Sequence, residues 1–142
     1  MRAISLWQPW ASAIVRGKKT VETRGWSTKY RGIVAIHAAQ RWTKEQRAMC
    51  NRYLTVLLHE IPLGELVATA EIVSCVPTES FTPHRLEAVW GDYGPGRFAW
   101  VLDNIQPLAK SVPCKGRQGF FNVPDDLIYG VTAIDGSGDA HG

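Results

Sequence analysis

No apolar run in this chain goes far before glycine, proline or a charge interrupts it, and 13 glycines and 8 prolines spread over 142 residues leave room only for short elements. A membrane-spanning helix needs about 20 consecutive apolar residues, so none is expected. Short strands punctuated by glycine are instead the material of small barrels. The length fits one domain. With 45% hydrophobic residues, the chain can bury roughly two-thirds of its unfolded surface without help from a disulfide or a metal.

Periodicity predicts a strand at Ala3–Leu6 and a helix over Trp10–Arg16, with Pro9 at the helix start and Gly17 as its stop. Strands follow at Thr20–Arg24 and Ile33–Ala38, separated by a polar loop from Gly25 to Gly32. Thr43 caps a helix expected to run to about His59, Leu66–Val76 reads as the best strand, and Pro77 ends it. A short helix over residues 82–89, a turn-rich loop from Trp90 to Gly96 and a strand at Arg97–Ile105 come next. Between Pro107 and Pro124 no period stands out. Strands interrupted irregularly by two or three helices define an α+β class. The domain is expected over residues 1–131, and the Gly/Asp/Ser-rich residues 132–142 read as a flexible tail.

Three widely spaced cysteines, Cys50, Cys75 and Cys114, fit neither a disulfide framework nor a zinc spacing. The opening residues run straight into Trp7-Gln8-Pro9 without the zones of a signal peptide, so a cytoplasmic protein is the expectation. The four histidines lack ligand spacing, and neither a metal nor a cofactor is expected. Ser5, Ser12 and Ser80 lack a nucleophile-elbow pattern.

The net charge of +3 is mild, but its distribution is not. Arg16, Lys18, Lys19, Arg24, Lys29 and Arg31 crowd one segment against the single acid Glu22, and Lys110, Lys115 and Arg117 form a later basic set. If the two sets converge, they make one positive face. On a strand beginning near Thr20, Glu22 and Arg24 share a face about 7 Å apart at Cα. Lys19 can reach that face from the preceding turn. The group is either a surface salt-bridge ladder or a carboxylate held by arginine and aimed at a ligand, with a lysine that can serve as a base.

Trp7-Gln8-Pro9-Trp10 sets two indoles around an amide. Trp7 can stack a base and Gln8 can read its edge, whereas Trp10 belongs on the buried stripe of the helix. Trp26 and Tyr30, interleaved with Arg24, Lys29 and Arg31, make a basic-aromatic surface. His37, in a buried strand, is either a hydrogen-bonded interior histidine or a cleft residue. Lys115-Gly116-Arg117-Gln118-Gly119 joins cations, an amide and glycines that allow close approach to a phosphate or a ring, without Walker spacing.

Five segments in order carry a family resemblance: Ile4–Ser12, then Gly17-Lys18-Lys19-Thr20-Val21-Glu22-Thr23-Arg24, Gly32–Ala38, Trp90–Trp100 and Lys115–Phe120. Together they resemble the ASCH domain family, whose signature is GxKxxExR. The resemblance implies a small PUA-like β-barrel with flanking helices and a cleft beneath the first helix. It also implies a role in recognising RNA, DNA or a modified nucleoside. Some small members are amidohydrolases acting on N4-acetylcytidine, and others are associated with RNA cleavage or coactivation. In the amidohydrolases the catalytic groups are a lysine matching Lys19, a threonine three residues on and a distant glutamate. Here Glu22 stands in the threonine's place, and Glu79 and Glu87 are both available as the distant glutamate.

The expectation is therefore a binder of RNA or single-stranded nucleic acid. Its ligand-binding residues would be Trp7, Gln8, Lys18, Arg24, Trp26, His37, Lys115, Arg117 and Gln118. The alternative is an amidohydrolase or ribonuclease using Lys19 and Glu22.

Overall fold

The computed structural model describes residues 1–129, and the expected tail lies outside them. Six strands form one sheet: β1 (Arg2–Leu6), β2 (Val21–Arg24), β3 (Gly32–Ala38), β4 (Glu65–Pro77), β5 (Phe98–Pro113) and β6 (Phe121–Asn122). Their order is β2-β5-β4-β3-β1-β6, with β1 and β3 parallel and the other pairs antiparallel. Helices α1 (Trp10–Val15), α2 (Lys44–Tyr53) and α3 (Arg85–Ala88), with a further helical segment over residues 125–129, accompany it, so the α+β class holds. Among the described residues, no helix is long and apolar enough to cross a membrane.

The closed barrel expected from the sequence is corrected to a curled, open sheet. Its outer strands β2 and β6 do not pair. The two residues of β6 take the edge of β1 at Arg2 and Ala3. Further along β1, the Arg24 side chain takes the Ser5 carbonyl at 3.0 Å, where a closing ladder would otherwise run. In a flat sheet those two strands would lie about 19 Å apart, four spacings of about 4.8 Å. The contact therefore requires strong curl.

The β1–β3 register pairs Ile4 with Ile36 and Ala3 with Ala35. Alternation sends the large residues to one face, where Ala11 and Ile14 of α1 join them with Trp100. Full burial of each such aliphatic chain contributes about 1.5–3 kcal/mol. Ala3, Ala35, Leu66 and Phe121 fill the other face. The same register sets Ser5 beside His37. A third cluster joins Ala13 of α1, Cys50 of α2 and Trp90, which fixes the loop before β5 over the end of α1.

Gly17, at φ 74, stops α1 as expected, with its N–H on the Ile14 carbonyl and the Lys18 N–H on Ala13. Thr43 caps α2 through a capping box with Gln46. The helix ends at Tyr53 rather than near His59, because Leu54 turns extended and is buried, and only a 3₁₀ turn, Leu58–Glu60, follows. Half of the segment without visible period is strand. β5 runs on to Pro113, but its pairing with β4 shifts register three times and Asn104 sits at φ 48. Each shift resets the in–out alternation that periodicity needs. On the edge strand β2, the carbonyls of Val21 and Thr23 are taken by Lys19 Nζ and by Arg97.

Candidate functional site

The centre of the site is built by β2. Alternation puts Glu22 and Arg24 on one face, and Arg24 Nε donates to Glu22 Oε2 at 2.8 Å. The other carboxylate oxygen lies 3.2 Å from Lys19 Nζ. Lys19 is wholly buried, and its ammonium also donates to the Val21 carbonyl and, at 2.9 Å, to the Trp90 carbonyl. Three acceptors thus surround three N–H bonds, the arrangement that lets a charge survive without water. The Arg24 guanidinium continues outward, bonding Ser5 and lying 5.4 Å from the Trp26 ring centroid.

Two clefts meet at this ridge and share Ser5, Trp7, Arg24 and Trp26 as a common wall. The first, about 950 Å³, is lined further by His37, Lys115, Arg117 and Gln118, and no carboxylate lines it. The second, about 810 Å³, adds Trp10 and Trp90 to the two shared indoles and balances Glu22 and Asp92 against Arg24 and Arg97. Trp7 and Trp26 remain about half exposed, at 52% and 47%. The Arg41 guanidinium sits 4.5 Å over the Trp7 ring.

The loop from Lys115 to Gly119 is held at both ends and exposed between. At one end His37 Nε2 lies 2.6 Å from the Cys114 carbonyl, and at the other Phe120 stacks on Trp100 with centroids 5.5 Å apart. A carbonyl can only accept, so Nε2 carries the proton. Nδ1 is then the acceptor for the Ser5 hydroxyl at 2.9 Å. Burial pushes the His37 imidazole below its usual range, against a smaller upward pull from its bond to Cys114. Gly116 lies so close that a Cβ there would come within 2.5 Å of His37 Cε1.

Among the residues singled out from sequence, Trp7, Arg24, Trp26, His37, Lys115, Arg117 and Gln118 line the first cleft, and Glu22 lines the second. Gln8 is fully buried; its amide donates to the Pro62 carbonyl and accepts from the Ser12 N–H, so it supports α1 instead of facing a ligand. Lys18 is exposed and lines neither cleft. Glu87, not Glu79, stands beside the lysine segment. It accepts from the Thr20 N–H at 2.7 Å and the Thr20 hydroxyl at 2.8 Å, whereas Glu79 accepts from the Gly96 N–H. Among the described residues, no group of three or more potential ligands could hold a metal.

Sequence reasoning set Ser5 aside for want of an elbow pattern, met Trp90 and Tyr93 only as part of a family segment, and passed over Arg41. Burial, with the charges of Glu87 and Glu22 nearby, raises the Tyr93 phenol well above its ordinary value. Its hydroxyl and Glu87 Oε2 are buried without a protein partner. Trp90 lies 71 residues from Lys19 and Tyr93 follows it, so no local pattern links them to the lysine motif.

Fold and site together define a small α+β domain in which one curled sheet opens a polar, tryptophan-walled cleft at its seam. The chain belongs to the ASCH domain family, which matches residues 4–110. It is 26% identical over 136 residues to human activating signal cointegrator 1 and 25% identical to the mouse protein. Those matches take in 90% of this chain but only 23% of either relative. Crystal structures of the ASCH protein from Zymomonas mobilis share the fold at a TM-score of 0.56 and 17–18% identity. The alignments cover 94% of this chain and 94–96% of that one.

Proposed function

We propose that the joined clefts bind RNA or another single-stranded nucleic acid, with a base among the indoles and a phosphate among the cations. The observation that carries this reading is the shared wall. Trp7, Trp26 and Arg24 stand between a cleft whose charged lining is wholly cationic and one lined by four tryptophans with balanced charge. A nucleotide has the same two-part chemistry, a flat apolar face beside an anion. Base–aromatic stacking is worth about 1–3 kcal/mol per base and tolerates any sequence. Lys115 and Arg117 are exposed, so they can reach a backbone without unfolding anything. Membership in the ASCH family and similarity to activating signal cointegrator 1 support the same reading.

The alternative, a hydrolase using Lys19 and Glu22, is less well supported. Lys19 is enclosed by three acceptors, and a base needs a free lone pair facing its substrate. The position of Glu87 beside Thr20 is the feature that favours it. Titrating short single-stranded RNA against tryptophan fluorescence tests the binding reading directly. Saturable quenching is expected, and it should weaken when Trp7 and Trp26 are each replaced by alanine. A wild-type protein without quenching or anisotropy change at any accessible RNA concentration refutes it. Release of acetate from N4-acetylcytidine would favour the alternative.

A further inference from the structure

We propose that Ser5 and His37 form a nucleophile–base pair, and that the first cleft hydrolyses small anionic carboxylic esters through an acyl-Ser5 intermediate. The pair needs no nucleic acid in the cleft.

Parallel strands in register bring the two residues side by side, and the Ser5 hydroxyl donates to Nδ1 of His37 at 2.9 Å. The ring cannot swing. It is 1% exposed, its Nε2–H is fixed on the Cys114 carbonyl at 2.6 Å, and its edge meets Phe121 with centroids 5.9 Å apart. Nucleophile, base and orienting acceptor therefore stand in one line, with a backbone carbonyl in the orienting position. Burial also keeps the imidazole neutral at neutral pH, the state a base requires.

Ser5 is only partly buried and belongs to the wall shared by both clefts. Gly116 closes over the pair without a side chain; a Cβ there would lie 3.1 Å from Ser5 Oγ. The N–H groups of Gly116 and Arg117 meet no protein acceptor among the described residues. With Gly116 packed against Ser5, its free N–H is a donor that a developing oxyanion on this face can use. With Arg24, Lys115 and Arg117 as its charged lining, the cleft selects an ester that carries a negative charge.

Ser5 Oγ attacks the ester carbonyl carbon while its proton passes to His37 Nδ1. The tetrahedral intermediate collapses, the bond to the alcohol oxygen breaks, and that oxygen takes the proton from Nδ1. Water then gives a proton to Nδ1 as its oxygen attacks the acyl carbon. Collapse breaks the bond to Oγ, which recovers the proton, and a carboxylic acid and an alcohol leave.

The test is labelling of the full chain with a fluorophosphonate near neutral pH, followed by peptide mapping. The expected result is a single adduct on Ser5, absent from Ser5→Ala and formed at least about 100-fold more slowly by His37→Gln. A folded wild-type protein without an adduct on Ser5 overturns the proposal, and this arm needs no variant to fold. So does an adduct whose rate is unchanged in His37→Gln. Of two p-nitrophenyl esters, the succinate should turn over faster than the acetate. Equal or reversed rates overturn the anionic substrate class.

Discussion

Arg24 of β2 and Ser5 of β1 are joined by a 3.0 Å hydrogen bond from guanidinium to carbonyl, although β5, β4 and β3 lie between their strands in the sheet. The seam of the domain is thus closed by a side chain, and the same side chain forms the wall between the two clefts. Arg24→Ala removes the Ser5 bond and half of the support for Glu22. The expected cost is about 2–3 kcal/mol in urea unfolding. Arg24→Lys should recover little of it, because an ammonium cannot serve both acceptors with a planar fork.

Lys19 is expected to behave as an interior residue. Lys19→Met strands the carbonyls of Val21 and Trp90, at a cost of about 3 kcal/mol. Lys19→Arg keeps the charge but overfills a site with no exposure, at about 1–3 kcal/mol. Thermal melts of the two variants check this. A Lys19→Arg protein as stable as wild type would mean that the site has room the structure does not show.

Affinity for single-stranded nucleic acid should fall as salt rises, by about 0.7 log units per log unit of salt for each neutralised phosphate. The Lys115→Ala/Arg117→Ala double variant should therefore flatten the slope by about 1.4. Because both residues are exposed, its melting temperature should stay near that of wild type. Anisotropy across a salt series gives both numbers.

Gly116 and Gly119 should fail differently when changed to alanine. At Gly116 the obstacle is steric, since the new methyl meets His37, so the loop must leave its Cys114 anchor. A cost of about 1–3 kcal/mol and a shifted His37 imidazole resonance are expected. At Gly119 there is open space, but φ is 66, so the cost is about 1 kcal/mol of backbone strain and the His37 resonance stays in place.

Acid should destabilise the domain through His37. Its folded pKa lies below the ordinary 6.5, so below about pH 6.5 the unfolded chain binds more protons than the folded one. The contribution is fully present above that value and is lost as pH falls through the window beneath it. The groups facing the ring are the Ser5 hydroxyl and the Cys114 carbonyl, and Arg24, Lys115 and Arg117 of the same cleft add no negative charge. Unfolding midpoints measured between about pH 7.5 and about pH 5 should decline less steeply in His37→Gln.

What the sequence revealed follows from distance along the chain. Glu22 and Arg24 are two residues apart, and period two alone places them together. The caps at Gly17 and Thr43 are equally local. Lys19 looked like a turn lysine because its second acceptor, the Trp90 carbonyl, lies 71 residues away. Gln8 looked like a base reader because it follows Trp7, but Pro62 claims its amide from 54 residues away. The loop from Lys115 to Gly119 stood out by composition, whereas its two anchors are tertiary. β5 was obscured by its own register shifts.

The occupied carbonyls of β2 also bear on behaviour in concentrated solution. An unpaired strand normally invites another chain to extend the sheet, which is how aggregates and fibrils begin. Here Lys19 and Arg97 hold the two carbonyls such a chain would bond first, and both bring positive charge to the border. A strand that sought either carbonyl would first have to displace the cation that holds it. The lysine of the signature motif thus also guards the open border of the sheet.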